Sequence, residues 1–447
     1  MTQPNPALTP ATTLDDAYRA CDHERPLQSG DPRYEDFSKG RGDDTTRILK
    51  GRFTRRDEGR FVQVAFLSHR GAGKTTELNR ICEDLSHHFF AYYFEANVQL
   101  DPRHVTTEDL LLALVMGLED HFAAAEMQLS PELIKQVHDW FSDVTKQTDW
   151  GKKLSGEMGS QVGIGGGVPF IATLKTELKG LIRTESEYRT QVREAFRKYP
   201  TTLLAVVNKV LDAARLALQT EGRDRELLVV IDNLDRYDPR VVDELLIKGG
   251  AMLKELHCHM IVTPPISLHY KPVGEPIASH FQAEVMNTIR LRDPEQPYDQ
   301  FNSGPGRGLL LEALSRRMDL DRLMPDPRAR DRIVSASGGA IRDLLRLVRE
   351  SIHLAPGAVL DRPTIDAAAR RLRVDMRDRI NANGWAETLA IIAKTKQIHS
   401  SPACMDVLFQ RLALKYNGDG WYDVHPLVSE IPEVQTAFKA LTPTLVI

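Results

Sequence analysis

The stretch FVQVAFLSHRGAGKTTELNRI, Phe61–Ile81, decides the fold of this 447-residue chain. Its apolar first third predicts a buried strand, and the apolar residues after Thr75 recur at helical spacing. The turn between them follows the pattern G-x-x-x-x-G-K-[ST], except that Ser68 stands where the first glycine belongs. A turn of this kind directs several backbone N–H groups and the positive end of a helix at one point, which suits a triphosphate. The stretch therefore predicts a phosphate-binding loop.

The residues of this loop have separate predicted roles. Gly71 and Gly73 let the backbone approach the phosphates, and Lys74 would reach the β and γ oxygens. The Thr75 hydroxyl would join the shell of a Mg²⁺ ion. Ser68 costs little at the first glycine position if its φ angle is negative. ATP and Mg²⁺ are thus the expected ligands, and the expected contacts in the loop are Ser68, Arg70, Gly71, Ala72, Gly73, Lys74, Thr75 and Thr76.

Composition excludes several classes of protein. A net charge of −4 argues against a chain that coats nucleic acid through bulk positive charge. Four widely spaced cysteines favour reduced thiols in a cytoplasmic protein. The N-terminus has no signal-peptide pattern. The longest uncharged run, Met158–Leu174, is short, rich in glycine and broken by Pro169, so we expect no membrane-spanning helix.

Four parts follow from the pattern along the chain. Residues 1–33, rich in Pro and Thr, predict a flexible N-terminal arm. Residues 34–300 predict an α/β core with a parallel sheet covered by helices, because continuous apolar strands alternate with helices; an irregular insertion occupies 150–185. Residues 301–378 predict an all-α lid. Residues 379–447 predict helices closed by a hairpin at Asn417–Gly420, the outline of a winged helix. The predicted strands are Phe61–Leu67, Phe89–Ala96, the run that starts at Glu226, His257–Pro265 and Val285–Leu291.

A second acid for the metal is expected at the end of a neighbouring strand. Asp232 fits, because it ends the apolar run Leu227–Ile231; its alternative role is to cap the following segment. Asn233 comes next, where many hydrolysing relatives of this loop class carry a glutamate, and an amide cannot act as a general base. Asp235 is the nearest carboxylate that could take that role. We therefore expect slow hydrolysis, or hydrolysis that depends on a partner.

Three segments, LSHRGAGKTTEL, LLVVIDNLDR and SGGAIRDLLRLV, resemble AAA+ ATPases of the origin-recognition type and the related STAND signalling ATPases. The resemblance spans most of residues 34–447 and implies a P-loop ATPase core, a helical lid and a winged helix. It implies that Thr263 is a sensor of the γ-phosphate, although a polar strand end before Pro264 explains Thr263 equally well. It also implies that Arg342, at the start of a lid helix, grips a phosphate.

Two further roles that the resemblance implies rest on weaker patterns. Segments ahead of the first strand help to hold adenine in this family, which makes Arg41 a candidate; an ordinary linker is the alternative. Arg290 and Arg292 are candidates for a finger arginine directed at a neighbouring chain, or they are simply solvated.

The lid is rich in arginine. Residues 303–380 carry sixteen arginines, no lysine and eleven acids, a balance of +5, which leaves −9 for the rest because the total is −4. A solvated face paired with acids is the plainest interpretation. The alternatives are that these arginines contact the nucleotide, an acidic surface of a neighbouring protein or a nucleic-acid backbone.

These observations predict a cytoplasmic, slowly hydrolysing ATP switch that assembles with itself and regulates a separate effector protein. A regulatory or defence role is implied by the resemblance alone. The alternative is a DNA-dependent AAA+ ATPase of replication, loading or transposition type. A module that binds ATP without turnover is a third hypothesis, which Asn233 keeps open.

Overall fold

The computed structural model describes most of the chain outside one central segment. It covers residues 9–103, 105–127, 198–220, 225–270, 276–296, 304–399, 401–417 and 420–441, with a few single positions between 140 and 195. The predicted insertion at 150–185 lies outside the described residues. No described helix is both long and apolar enough to cross a membrane.

Helices and strands alternate through the first two thirds of the chain, and helices dominate the last third. The strands are β1 (Gln63–Leu67), β2 (Phe89–Glu95), β3 (Glu226–Asp232), β4 (His259–Val262), β5 (Gln282–Val285), β6 (Ala413–Lys415) and β7 (Tyr422–Val424). The helices of the first part are α1 (Leu14–Ala20), α2 (Ser38–Arg41), α3 (Thr45–Thr54), α4 (Lys74–Asp84), α5 (Ala96–Gln99), α6 (Thr107–Ala124), α7 (Pro200–Thr220), α8 (Pro239–Asp243), continued by a π-helical turn (Glu244–Lys248), and α9 (Gly250–Lys254). Those of the last part are α10 (Gly306–Ser315), α11 (Leu320–Leu323), α12 (Pro327–Ala336), α13 (Ile341–Leu354), α14 (Arg362–Asn383), α15 (Ala386–Thr395), α16 (Pro402–Phe409), α17 (Pro426–Ser429) and α18 (Pro432–Leu441). Short 3₁₀ turns occupy Leu234–Arg236, Ile266–Tyr270 and Ile277–Ser279.

The five strands of the core form one parallel sheet in the order β2-β3-β4-β1-β5. Strand β4 therefore stands between β1 and β3. The carboxyl ends of all five strands meet at one edge, so the loop after β1, Asp232 at the end of β3 and Thr263 after β4 are brought together. This is the edge where open α/β sheets bind ligands.

Both faces of the sheet are buried, which explains the continuous apolar strands. Val64 and Phe66 of β1 face a cluster that includes Leu78 of α4. Ala65 and Leu67 face the opposite cluster, to which α6 and α7 contribute. The predicted fold class, an α/β P-loop core with a parallel sheet covered by helices and followed by helices, is confirmed.

One predicted strand is wrong. The strand next to β1 is Gln282–Val285, whereas Val285–Leu291 was expected. Beyond Met286 the backbone bonds to other segments instead of a sheet neighbour: the Thr288 N–H donates to the Lys415 carbonyl at 3.0 Å, and the Arg290 N–H to the Gly40 carbonyl at 2.8 Å. The apolar alternation there arises because Ile289 and Leu291 pack beneath the lid helices.

The described part of the N-terminal segment, from residue 9, is not the flexible arm that the sequence predicted. It contains α1, capped by the Thr13 side chain, and it packs Ala17 and Cys21 into the lid cluster with no exposed surface. Its Pro and Thr content misled the prediction, because the segment gains its order from contacts with α13, far along the chain.

The lid and the C-terminal module share one hydrophobic cluster, which runs from α10 to α18. The predicted boundary at residue 378 falls inside α14, which continues to Asn383. Beyond it, α15 and α16 precede the antiparallel pair of β6 and β7, in which Ala413 faces Val424. The expected hairpin is therefore present, with two residues of its turn, 418 and 419, outside the described part.

Candidate nucleotide-binding site

The loop between β1 and α4 has the backbone that a phosphate site requires. Gly71 and Gly73 have φ angles of 85° and 100°, in the left-handed region that favours glycine. Ser68 is not among the described residues with positive φ, so a side chain there causes no backbone strain. Its hydroxyl donates to the His69 carbonyl at 3.0 Å, and its backbone pairs with Pro265 in an isolated bridge. The missing glycine therefore leaves the loop intact.

Lys74 is buried beneath the loop and already has an anionic partner. Its Nζ donates to Asp235 Oδ2 at 2.6 Å and to Ser68 Oγ at 3.0 Å. Both members of the ion pair are more than nine-tenths buried. Because an isolated ammonium is costly to bury, Asp235 satisfies in this arrangement the charge that a phosphate is expected to satisfy. A bound triphosphate must compete with Asp235 for Lys74.

Asp232 lies at the centre of a cluster of oxygen donors. The Thr75 and Thr263 hydroxyls each donate to its carboxylate at 2.8 Å. Tyr93 of β2 donates its hydroxyl to the same carboxylate, and burial together with the Asp232 charge raises the pKa of Tyr93. The Asn233 N–H adds a fourth bond at 2.7 Å. Thr263 therefore contacts the Asp232 carboxylate, and its predicted role as a sensor of the γ-phosphate stays a prediction.

The Thr75 hydroxyl and the Asp232 carboxylate fit a Mg²⁺ ion. They are hard oxygen ligands on adjacent elements, and Mg²⁺ bound at phosphates needs one or two such protein ligands, with water and phosphate completing its shell. No group of three His, Cys, Asp or Glu side chains forms a metal site among the described residues.

Arg41 supports the loop from beneath. Its guanidinium donates to the Ala72 carbonyl at 2.8 Å and to Glu77 at 3.0 Å, and both side chains are almost completely buried. Arg41 therefore positions the backbone of the loop, and it lies where α2 meets α4 rather than in a linker. Glu77, which sequence reasoning missed, also accepts from Tyr34 at 3.3 Å, and the only signal for it was its place in the first turn of α4.

A cavity of about 390 Å³ opens beside the loop, and residues of the N-terminal segment, the loop, the turn after β3 and the lid line it. The loop contributes residues 70–76, the turn after β3 contributes Asn233, Asp235 and Arg236, and α13 contributes Arg342. The N-terminal segment closes another side: the Leu27 N–H donates to the Thr76 hydroxyl at 3.1 Å. A volume of this size lies within the range of pockets for small ligands.

Arg342, the arginine expected to grip a phosphate, lies at the start of α13 and lines the cavity. Its backbone N–H donates to the Gly71 carbonyl at 3.1 Å, and a Cβ on Gly71 would lie 2.7 Å from Arg342 Cβ. Its buried Nε has no hydrogen-bond partner among the described residues. Burial lowers the pKa of Arg342, and the charges of neighbouring arginines lower it further. The lid therefore touches the loop and presents a guanidinium to the cavity.

The C-terminal hairpin also reaches the loop. The Lys415 N–H of β6 donates to His69 Nε2 at 2.8 Å, and Arg411 contacts the Arg70 carbonyl at 3.5 Å. Burial, with Lys74 next in effect, lowers the pKa of His69 to about 3, so the ring is neutral and can accept this bond. His69 was not identified from the sequence, because its partner lies almost 350 positions away.

The two candidate finger arginines are not available to a neighbouring chain in the way expected. Arg292 is 2% exposed and pairs with Asp423 of β7, so it ties the core to the hairpin. Arg290 lies 3.3 Å from Asp293 and is only partly exposed. Neither side chain supports the predicted finger role.

No protein-family model and no curated protein matches the chain. Among solved structures, a Walker-type ATPase of Pyrococcus abyssi matches with a TM-score of 0.43 and 14% identity, over 94% of this chain and 99% of that one. The ORC2 protein of Aeropyrum pernix, solved in ADPNP and ADP complexes, matches with a TM-score of 0.40 and 11% identity, over 94% of this chain and 98% of that one. Likeness at these values carries no functional weight, so the site is defined by the residues of this chain alone.

Proposed function

We propose that this chain is a cytoplasmic, ATP-binding and slowly hydrolysing molecular switch whose nucleotide state sets the arrangement of its lid and C-terminal module. The observation that carries the proposal is the convergence of three separate parts on one phosphate-type loop. The N-terminal segment bonds to Thr76, the lid to Gly71, and the C-terminal hairpin to His69. A ligand in this loop is therefore coupled to the packing of all three parts.

The contact with the C-terminal hairpin is built on a buried ion pair. Arg411 pairs with Asp343 of α13 at 2.9 Å, and both are well shielded from solvent. Burial raises the pKa of Asp343, but Arg411 and then His425 outweigh it and hold this pKa well below its usual value. Arg411 thus bridges the lid carboxylate and the loop carbonyl of Arg70. A movement of the loop would therefore change the contacts that Arg411 makes with Asp343 and with the Arg70 carbonyl.

The chemistry expected of the site is nucleotide hydrolysis with a weak activating base. Thr75 and Asp232 would hold Mg²⁺, which supplies charge neutralisation on the phosphate oxygens when bound. Asn233 has a left-handed φ of 69° and cannot take a proton from water. Asp235 is the nearest carboxylate, but it is engaged by Lys74. This engagement supports slow turnover, because Asp235 serves as a base only after Lys74 has moved to a phosphate.

We also propose a division of the chain into a nucleotide core (34–300), a lid (301 to the end of α14) and a C-terminal winged-helix-like module. The two sides of the sheet form their own clusters, while lid and module share another. Because the chain shows no second catalytic constellation in its described part, the output of the switch would be self-assembly or binding of a separate effector. Nothing in the fold bears on a defence role.

DNA binding by the arginine-rich lid receives little support. Most of its arginines lie within 4 Å of a carboxylate: Arg307, Arg316, Arg330, Arg332, Arg346, Arg349, Arg362, Arg371, Arg373 and Arg377. Paired arginines release few counterions at a phosphate backbone, so they would give only a shallow salt dependence of DNA binding. Three of the paired carboxylates, those of Asp22, Glu35 and Glu430, lie outside residues 303–380 and offset part of the excess of +5.

Phosphate release from the purified chain with ATP and Mg²⁺ tests the proposal. It would be measured with and without duplex DNA, beside Lys74→Ala, Asp235→Ala and the exposed-site control Lys248→Ala. The switch predicts slow release that DNA does not stimulate, that Lys74→Ala abolishes, that Asp235→Ala lowers, and that Lys248→Ala leaves unchanged. Stimulation by DNA that is lost in Lys74→Ala would replace the switch with the DNA-dependent ATPase. Binding of ATP without any release would leave a nucleotide-stabilised scaffold.

A further inference from the structure

Three arginines from three different elements line the cavity. Arg70 belongs to the loop, Arg236 to the turn after β3, and Arg342 to the start of α13. We call Arg70, Arg236 and Arg342 the arginine cluster. Arg70 precedes Gly71, on which Arg342 packs. Arg236 follows Asp235, which pairs with Lys74. The cluster therefore lies beside the loop and beside the turn whose Asp235 holds Lys74.

None of the three guanidinium groups has a partner among the described residues. No carboxylate lies within 4 Å of any of them, and none of their side-chain nitrogens makes a hydrogen bond within the described ranges. This distinguishes them from the lid arginines, most of which are paired. The Arg342 Nε is buried as well as unbonded, which is costly unless a ligand completes it.

The three positive charges also work against one another. After burial, the Arg236 charge is the largest influence that lowers the pKa of Arg70, while Arg70 and Arg236 both lower the pKa of Arg342. Glu24 and Asp235 offset part of this repulsion without pairing with either residue. Such an arrangement favours the entry of a strong anion, and planar guanidinium groups suit the oxygens of a phosphate.

We propose that Arg70, Arg236 and Arg342 together bind the terminal phosphate of ATP, so that a single chain supplies the arginine contacts that distinguish ATP from ADP. The inference rests on the proposed function and adds Arg236 as a specificity-determining residue, with Arg70 acting through its side chain. Arg290 and Arg292 take no part in this site, because Arg290 lies beside Asp293 and Arg292 pairs with Asp423.

The test is a comparison of two binding constants. The dissociation constants of ADP and of a non-hydrolysable ATP analogue, each with Mg²⁺, would be measured by calorimetry for the full chain, for Arg236→Ala and for Arg240→Ala. Arg240 is an exposed arginine four positions on that does not line the cavity, so it controls for loss of charge. A charge-assisted bond to phosphate accounts for about 10- to 100-fold in affinity.

Arg236→Ala should lower the preference for the triphosphate about 10- to 100-fold while ADP affinity changes less than about threefold. Arg236→Lys should recover only part of the preference, because an ammonium cannot make the forked contact. Arg240→Ala should behave as the unaltered chain. An unchanged preference in Arg236→Ala, or an equal loss for both nucleotides, would overturn the inference.

Two controls keep this result separate from other failures. Should Arg236→Ala not fold, Arg70→Ala tests the same cluster at an exposed position. The preference should also be the same at low and high protein concentration; a preference that appears only on assembly would overturn the single-chain assignment. If the unaltered chain binds neither nucleotide, the proposed function itself fails, whereas Lys74-dependent binding with an unaffected Arg236→Ala refutes this inference alone.

Discussion

Replacing Asp235 by Asn should lower the stability of the ligand-free protein and raise its affinity for nucleotide. Asp235 Oδ2 lies 2.6 Å from Lys74 Nζ, and both groups are buried. The substitution keeps the size of the side chain and removes its charge, so the buried ammonium loses the carboxylate with which it pairs. A phosphate that enters the loop would then meet a lysine without a competing anion.

The magnitude follows from the burial of the pair. Breaking a buried ion pair from one side costs about 3–5 kcal/mol. Ser68 still offers its hydroxyl and carbonyl to Lys74, at 3.0 and 3.3 Å, so we expect a loss nearer about 2–3 kcal/mol in the ligand-free state. If the nucleotide supplies the missing anion, most of this free energy returns on binding, which corresponds to a gain of about 30- to 150-fold in affinity.

The assay combines thermal unfolding with a binding measurement. The melting temperature would be recorded without ligand and with saturating ADP and Mg²⁺, and the dissociation constant of ADP would be measured by fluorescence. Asp238→Asn is the matched control, because Asp238 is exposed and Asn caps a helix as well as Asp does. Phosphate release should fall in Asp235→Asn even though nucleotide binds more tightly. Unchanged or weaker ADP binding in Asp235→Asn would refute the competition for Lys74.

Three further substitutions test other contacts of the loop. The pKa of His69 is lowered to about 3 in the folded chain, so on acidification the unfolded chain binds a proton first, and the free energy of unfolding falls as the pH drops below about 6.5. Without this histidine, in His69→Gln, the free energy of unfolding should therefore fall by about 1.4 kcal/mol less between pH 7.5 and 5.5 in denaturant titrations. An equal pH dependence in both proteins would contradict this. Gly71→Ala should destabilise the chain by more than about 2 kcal/mol, because it adds a clash with the lid to the strain of a positive φ. Gly59 also has a positive φ but has open space around it, so Gly59→Ala should cost about 1 kcal/mol of stability in the same unfolding assay. Similar costs would show that the lid does not pack on the loop. Arg411→Met should lower the stability by about 3 kcal/mol, because it leaves a buried carboxylate without its partner, and the hairpin should be cut faster in limited proteolysis. Arg371→Met, at an exposed ion pair, should lower the stability by less than about 1 kcal/mol. Equal effects would show that Arg411 does not bridge the lid and the loop.

The sequence was sufficient for the parts of the fold that local patterns control. The strand–loop–helix unit at Phe61–Ile81 and the acid at Asp232 were recognisable, because the loop needs glycines at fixed spacing and a buried parallel strand is apolar throughout. The predicted strand at Val285–Leu291 was wrong because it rested on the local apolar pattern alone. Its apolar alternation reflects packing under the lid, which period-two spacing cannot distinguish from a strand.

The contacts that join distant parts could not be predicted. The bond between His69 and Lys415, and the ion pair between Lys74 and Asp235, depend on how the parts fold back on one another. The described N-terminal segment, from residue 9, was predicted to be loose because its composition is typical of linkers. Its order comes from contacts such as the bond between Leu27 and Thr76, which link residues far apart in sequence. Residue types identify candidates for a site, while pairing identifies which of them are free to act.

The arginines illustrate this most clearly. The sequence offered a lid rich in arginine and could not separate those that bind ligands from those that bind carboxylates. The structure separates paired arginines from unpaired ones: Arg332 is held by Asp366 and Glu430, whereas Arg236 and Arg342 line the cavity without a partner in the described part of the chain. Pairing in the fold therefore narrows the candidate arginines in a way that local charge density cannot.

Hydrogen exchange at the Lys415 amide tests the central claim most directly. This N–H donates to His69 of the loop, so its protection reports the contact between the hairpin and the nucleotide site. A nucleotide switch predicts that saturating ADP and a non-hydrolysable ATP analogue give protection of Lys415 that differs at least about tenfold, and that Lys74→Ala abolishes the difference. Identical exchange in the ligand-free, ADP and ATP-analogue states, with both nucleotides bound, would contradict a switch that couples this loop to the C-terminal module.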